Sequence, residues 1–305
     1  MRVLVTGAGG FIGSVLVPML LDRGEQVIAI DDFRHGVPSL AGCAENQRLK
    51  IIVGDCRDIA SIAKNQFDFV FHLAAIVGVK ACDRDPGLAE SINVGAVRGL
   101  LRCYQGPIVM PCTNSGYGVG GEEKCTEDSP LKPQSLYARL KLQAEREILQ
   151  SGGVSLRLAT CFGMSPRMRF DLLVNDFVRR AVRDKALTLF EAHFRRNYLH
   201  VRDAARAMIF ASDNFSKMKG RPWNVGDDRA NMTKAQLCEE IQKQVPDFVF
   251  TTAKIGEDPD KRDYVVSSQR IYDLGFHVGW SLEDGIRELI QGCGMYHGEK
   301  RWRNS

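Results

Sequence analysis

Residues 2–13 read RVLVTGAGGFIG, a β-branched apolar run followed by glycine at positions 7, 9, 10 and 13. The run predicts a strand, and the apolar spacing over 12–23 predicts a helix directly after it. Glycines placed between such a strand and helix have a geometric purpose. They allow a tight turn, bring backbone N–H groups close to a pyrophosphate, and let the helix lie close on the sheet. Gly7, Gly10, Phe11, Ile12 and Gly13 are therefore candidate phosphate-binding residues, because helix-start N–H groups and the helix dipole favour anions. A glycine-rich turn is common in itself, so the reading depends on its surroundings.

Short runs rich in Val, Ile and Phe recur at 26–30, 50–53, 68–72, 107–111 and 154–158. Amphipathic stretches at 12–23, 88–104 and 135–150 lie between several of them. Strand and helix alternating in this way predict an α/β fold with a parallel sheet covered on both faces. The alternation loosens after about residue 160. Residues 1–160 are expected to form a nucleotide-binding domain, and 161–305 a smaller substrate-facing region with some segments returning to the sheet. Helices are predicted at 167–183 and 233–245, and a loose charged tail at 299–305.

Bulk composition narrows the class. At 305 residues, 44% hydrophobic and 26% charged, the chain is an ordinary globular protein with a sizeable core. A net charge of +4 is too small to indicate nucleic acid. No apolar run is long enough for a transmembrane helix, and the first residues lack the pattern of a signal peptide. The nine cysteines include no C-x-x-C pair, so neither a zinc site nor a disulfide framework is expected, and a reducing cytoplasmic location fits.

The second strand ends in Asp31-Asp32, with Asp31 lying 24 residues after Gly7. An acid there can accept hydrogen bonds from the adenosine ribose hydroxyls and repels a 2′-phosphate, which favours NAD over NADP. Arg34 nearby keeps NADP open. Asp55-Cys56, at the end of the third strand, can meet the adenine or start a helical turn.

At the other end of the candidate site, Tyr137 and Lys141 fall at i and i+4 of a predicted helix and share a face. A free phenol has a pKa near 10. A neighbouring ammonium and a positive nicotinamide ring would lower it, making Tyr137 a base for a substrate alcohol. A polar loop, Thr113-Asn114-Ser115, leaves the strand before that helix and turns through Gly116 and Gly118.

Taken together these motifs resemble the extended short-chain dehydrogenase/reductases, in particular the NAD-dependent epimerase/dehydratase family. The resemblance runs through Gly7-x-x-Gly10-x-x-Gly13, Asp31, Asp55, His72-Leu73-Ala74-Ala75, Asn93, Thr113, Tyr117-Gly118, Tyr137-x-x-x-Lys141, Asn175, residues 196–203 and Asn224-Val225-Gly226. It implies a Rossmann-type doubly wound sheet, NAD as cofactor, a nucleotide-diphosphate sugar as substrate, and a homodimer built on helices 88–104 and 135–150. By the same resemblance Thr113, Tyr137 and Lys141 are catalytic, and Leu73, Ala74 and Ala75 join the coenzyme site. Asn114, Ser115, Asn175, Arg196 and Arg262 would meet the substrate, the last three at its diphosphate. His72 and His200 are read as core or supporting residues.

The family's sugar dehydratases carry Asp-Glu after the threonine, and its epimerase-reductases a cysteine two positions before the loop tyrosine. Asn114 and Ser115 stand in those places here, which leaves reversible oxidation of one sugar carbon, C4. Residues 113–118, 171–177, 194–198 and 256–264 resemble a subgroup that includes a GDP-heptose 4-dehydrogenase of bacterial capsule synthesis, so that activity is the expectation. A 4-epimerase of UDP-glucose or UDP-N-acetylglucosamine type is the alternative. A non-catalytic NAD-binding protein is the reading from another class.

Overall fold

The computed structural model describes residues 1–59, 67–119, 123–253, 262–296 and 302–304. Part of one quoted stretch, 256–261, lies outside them.

The first half alternates as predicted: β1 (Arg2–Thr6), α1 (Gly13–Asp22), β2 (Gln26–Asp31), β3 (Leu49–Val53), β4 (Phe69–His72), α2 (Val79–Arg84), α3 (Pro86–Glu90), α4 (Ala96–Cys103), β5 (Ile108–Thr113), α5 (Leu136–Gln150) and β6 (Val154–Leu158). Then follow β7 (Thr160–Phe162), α6 (Leu173–Arg183), β8 (Ala186–Leu189), β9 (Arg195–Arg196), β10 (Tyr198–His200), α7 (Val201–Asp213), α8 (Phe215–Met218) and β11 (Pro222–Val225). The chain closes with β12 (Met232–Thr233), α9 (Lys234–Gln244), β13 (Val249–Thr252), α10 (Gln269–Asp273) and α11 (Leu282–Cys293).

Seven strands form one sheet in the order β11-β6-β5-β4-β1-β2-β3, with every pair parallel. This is the doubly wound arrangement, reversing direction between β1 and β4, where ligands bind beyond the carboxyl ends of the strands. Its central strands are apolar because both faces are covered: Val3, Leu4 and Val5 of β1 and Val70 and Phe71 of β4 have no exposed surface. β11 pairs with β6, so a segment from the second half returns to the sheet. Three two-stranded ribbons, β10-β7, β12-β9 and β13-β8, shape the rest of that half.

The helix foreseen at 88–104 runs through α3 and α4, which a π-helical stretch, Ser91–Gly95, joins. Two expectations are corrected. The helix foreseen at 167–183 begins only at Leu173, because the preceding backbone is tied elsewhere: Arg167 N–H reaches Ser14 Oγ, and Phe170 N–H donates to Trp302 O. The tail is docked where it is described. Trp302 lies edge-on against Tyr296 at 4.8 Å, and Arg303 approaches Asp176. Across the two helices expected to pair subunits, Arg98 bonds Glu147, and Arg102, Arg139 and Arg146 are exposed. No helix among the described residues is long and apolar enough to cross a membrane.

Candidate active site

A cavity of about 630 Å³ opens where the sheet reverses. One wall is the turn between β1 and α1, where lack of side chains is a requirement. A Cβ on Gly7, whose φ is +67°, would stand 2.6 Å from Ala74 N; one on Gly13 would stand 2.3 Å from Gly7 O. Gly9 is closed off similarly by Phe33 and Asp31. The backbone is thus packed as close as backbone can be, its cavity side left bare, which fits a dinucleotide pyrophosphate.

Asp31 ends β2 against this turn and accepts from Gly9 N–H at 2.9 Å and Phe33 N–H at 2.8 Å. Burial raises its pKa although those two bonds oppose it. A carboxylate has about four acceptor positions, so two N–H bonds leave room for ribose hydroxyls. Asp32 is paired with Arg34 at 2.5 Å. Arg34 is therefore already committed to a carboxylate, and a 2′-phosphate would face two acids. Asp55 caps the turn Cys56–Asp58 by accepting from Arg57 N–H, as one sequence reading has it, and it lines the cavity with Cys56. Leu73, Ala74 and Ala75 form the floor. Asn93 holds that loop, accepting from Ile76 N–H at 2.7 Å and donating to Ile76 O at 3.0 Å. His72 is a core residue, bonded to Thr6 Oγ1 at 2.9 Å, and burial with Lys141 nearby pushes its pKa down to about 3.

The opposite wall carries the chemistry. Ser135 caps α5, which brings Tyr137 and Lys141 into the cavity. Burial raises the Tyr137 phenol, Cys112 adds to this, and Arg169 and Arg262 pull it down. Among the protein's own groups burial wins; the lowered phenol of the sequence reading belongs to a site with the nicotinamide ring beside it. Lys141 is also buried, which lowers its own pKa.

Thr113 ends β5 beside this pair. Its hydroxyl donates to Ser115 Oγ at 2.9 Å and accepts from Ser115 N–H at 3.1 Å. Arg262 donates to the same Ser115 Oγ at 2.5 Å. With both lone pairs engaged, Ser115 can act only as a donor, while Thr113 keeps one acceptor position for a substrate hydroxyl. Gly118, at φ +72°, completes the turn where a Cβ would strike Lys132 O at 2.1 Å. The loop is anchored from behind: Tyr117 donates to Asn224 Oδ1 at 2.6 Å and accepts from Arg157, which is paired with buried Glu145.

All the expected coenzyme residues line the cavity, as do Thr113, Ser115, Arg196 and Arg262. Two expected substrate residues do not. Asn175 is fully buried, its amide spent on Gly163 and Arg169 O, so it supports the loop that carries Arg169. Asn114 lies outside the lining, with its amide buried and without a partner among the described residues. The sequence reading missed Arg167, Arg169, Arg180, His35 and the pair Arg303-Asn304, all in the wall. The paired arginines at 167/169 and 179/180 were the only signal, and a charge cluster by itself reads as a solvated face. Burial, followed by Arg167 and Arg169, pushes the His35 pKa down to about 4 and keeps it neutral.

A parallel sheet with a glycine turn and an acid at its switch point, and with a phenol and an ammonium across the cavity beside a polar loop, is the architecture of an NAD-dependent enzyme. The chain belongs to the NAD dependent epimerase/dehydratase family, whose profile matches residues 3–226. It is 30% identical to the uncharacterized UDP-glucose epimerase YtcB of Bacillus subtilis (strain 168), over 98% of this chain and 100% of that one. It is 26% identical to UDP-glucuronate 4-epimerase 5 of Arabidopsis thaliana, over 99% of this chain and 77% of that one. The crystal structure of UDP-glucuronic acid 4-epimerase from Bacillus cereus, in complex with UDP-glucuronic acid and NAD, has the same fold. The TM-score is 0.85 at 24% identity, covering 97% of this chain and 99% of that one.

Proposed function

We propose that the protein is a nucleotide-sugar 4-epimerase that takes a uridine diphosphate sugar, oxidises it at C4 and reduces it again from the other face. The observation that carries this is the hydrogen-bond chain Thr113–Ser115–Arg262 beside Tyr137 and Lys141. It offers neither the acid nor the base needed to expel water from a neighbouring carbon, since Ser115 is held as a donor and Asn114 is outside the wall. What it does offer suits reversible oxidation at one carbon. The two relatives named above, UDP-sugar epimerases by name, favour inversion over release of a keto sugar.

When bound, NAD supplies the carrier for the two electrons and the hydrogen. Gly7, Gly10 and Gly13 hold its pyrophosphate, and Asp31 its ribose. Thr113 hydrogen-bonds the sugar beside the hydroxyl that is oxidised and orients that hydroxyl toward Tyr137. Tyr137 takes that hydroxyl's proton and returns it to the same oxygen, and Lys141 orients ribose and phenol. Arg196 and Arg262 balance the substrate diphosphate. A homodimer on α3–α4 and α5 belongs to the same proposal.

The test is incubation of the purified protein with UDP-glucose, UDP-N-acetylglucosamine, UDP-glucuronate and GDP-heptose, followed by NMR of the products. A C4 epimer formed without net reduction of coenzyme is expected. A keto sugar from GDP-heptose, matched by reduced coenzyme, would make it a dehydrogenase instead. No conversion at all by a protein that keeps its NAD would leave only a binding role.

A further inference from the structure

Arg167 stands on the loop between β7 and α6 and is 3% exposed. The loop is fastened to the start of α1: Ser165 donates to Phe11 O at 2.7 Å and shares a hydrogen bond with Ser14, which also receives the Arg167 N–H. The guanidinium has no carboxylate partner among the described residues. Nη1 donates to Met168 O, Nη2 donates to Asn304 Oδ1 at 3.0 Å, and Nε is buried with no partner. Burial and then Arg169 pull its pKa down to about 10, while Asp171 and Asp31 oppose this from a distance. A buried cation left without a counter-charge costs stability unless a ligand supplies one.

Asn304 is held in place as firmly as the arginine. Its N–H donates to the Asp171 carboxylate, Trp302 O accepts from Phe170 N–H at 2.7 Å, and the Trp302 ring rests on Tyr296, which packs on Phe170. Arg303 and Asn304 line the same cavity as Gly10 and Asp31.

We propose that Arg167, set by Asn304, grips the coenzyme pyrophosphate together with the glycine turn, and that the segment Trp302–Asn304 is a clasp on the coenzyme site. The anion is the coenzyme's rather than the substrate's because Arg167 is tied to α1 and coupled to Asp31. The substrate-side cations, Arg196 and Arg262, lie instead by Tyr264 and Ser115. A helix start, a buried unpaired cation and an anchored partner converge on one place.

The inference rests on the NAD reading above, and the experiment separates the two. Arg167→Gln, Arg167→Lys, Asn304→Ala, Asn304→Asp and the triple alanine variant of 302–304 are purified as full chains. The fraction of chains retaining NAD and the NAD concentration giving half occupancy are measured, alongside UDP binding and the thermal unfolding midpoint. Expected is a 10- to 100-fold weaker NAD affinity for Arg167→Gln and the triple variant, with UDP affinity within twofold of the unaltered protein. Arg167→Lys should lose less, and Asn304→Asp more than Asn304→Ala, because a carboxylate would neutralise the guanidinium. NAD affinity within twofold of the unaltered protein in both Arg167→Gln and the triple variant, with folding intact, overturns the clasp. So does a loss confined to UDP. An unaltered protein that binds no NAD would defeat the coenzyme reading itself.

Discussion

Tyr137 is held between opposing influences: desolvation keeps the phenol protonated, and the Arg169 and Arg262 guanidinium groups draw the proton off. Because the raised state prevails, the phenolate is a minor form near neutrality and grows as pH rises. Oxidation of the sugar, followed by coenzyme absorbance in a single turnover, should therefore accelerate with pH above 7. Tyr137→Phe should flatten that dependence and lower the rate about 10²- to 10⁴-fold, the range of a lost acid–base group, with NAD retention unchanged. A rate falling less than tenfold would take the proton role from this residue. Tyr137 and Lys141 were legible in the sequence because i, i+4 spacing is a property of one helix. Asn175 was misplaced for the converse reason. Its partners Gly163 and Arg169 sit on a loop whose path nothing local dictates, so an amide spent on backbone reads the same as one turned to a ligand.

At the scale of elements, the alternation of strands and helices was readable to within a residue or two for β1 through β6, since buried parallel strands are apolar throughout. The π-helical stretch Ser91–Gly95 was not. It adds a residue to a turn without changing the apolar pattern, and such insertions mark functional places. Here Asn93 is the member that ties down Ile76 and with it the floor of the cavity. Asn93→Ala would leave that part-buried backbone pair without its partner, at a cost of about 1 kcal/mol. The expected result is a lower unfolding midpoint together with weaker NAD retention; a change in stability with coenzyme affinity untouched would mean that the floor does not depend on it. The late start of α6 has a similar origin, since 167–172 forms its bonds with distant segments rather than with its own next turn.

Across the whole molecule, the second half is held together by ionic contacts that composition could not reveal. Glu288 of α11 bonds His200, Arg202 and Met164 N–H, drawing α7, β10 and the β7 loop together. Burial would raise its pKa, but these three partners overcome it and push it down to about 2 from 4.5. A carboxyl lowered on folding contributes stability above its unfolded value, and the contribution is lost as pH falls from about 4.5 toward 2. Glu288→Gln should cost roughly 2 kcal/mol at pH 7 and remove that part of the acid limb in denaturant titrations at stepped pH. Equal stability of the two proteins at pH 7 would refute the assignment. The motif Asn224-Val225-Gly226 was recognised by resemblance, but the partnership of Asn224 with Tyr117 joins positions 107 apart.

That bond also orders events during synthesis. The ribosome delivers Thr113, Tyr137 and Lys141 well before Asn224, so a nascent chain can possess its reactive side chains while the strap behind Tyr117 is still missing. The loop that carries Thr113 thus gains its backing late in translation, when β11 docks against β6.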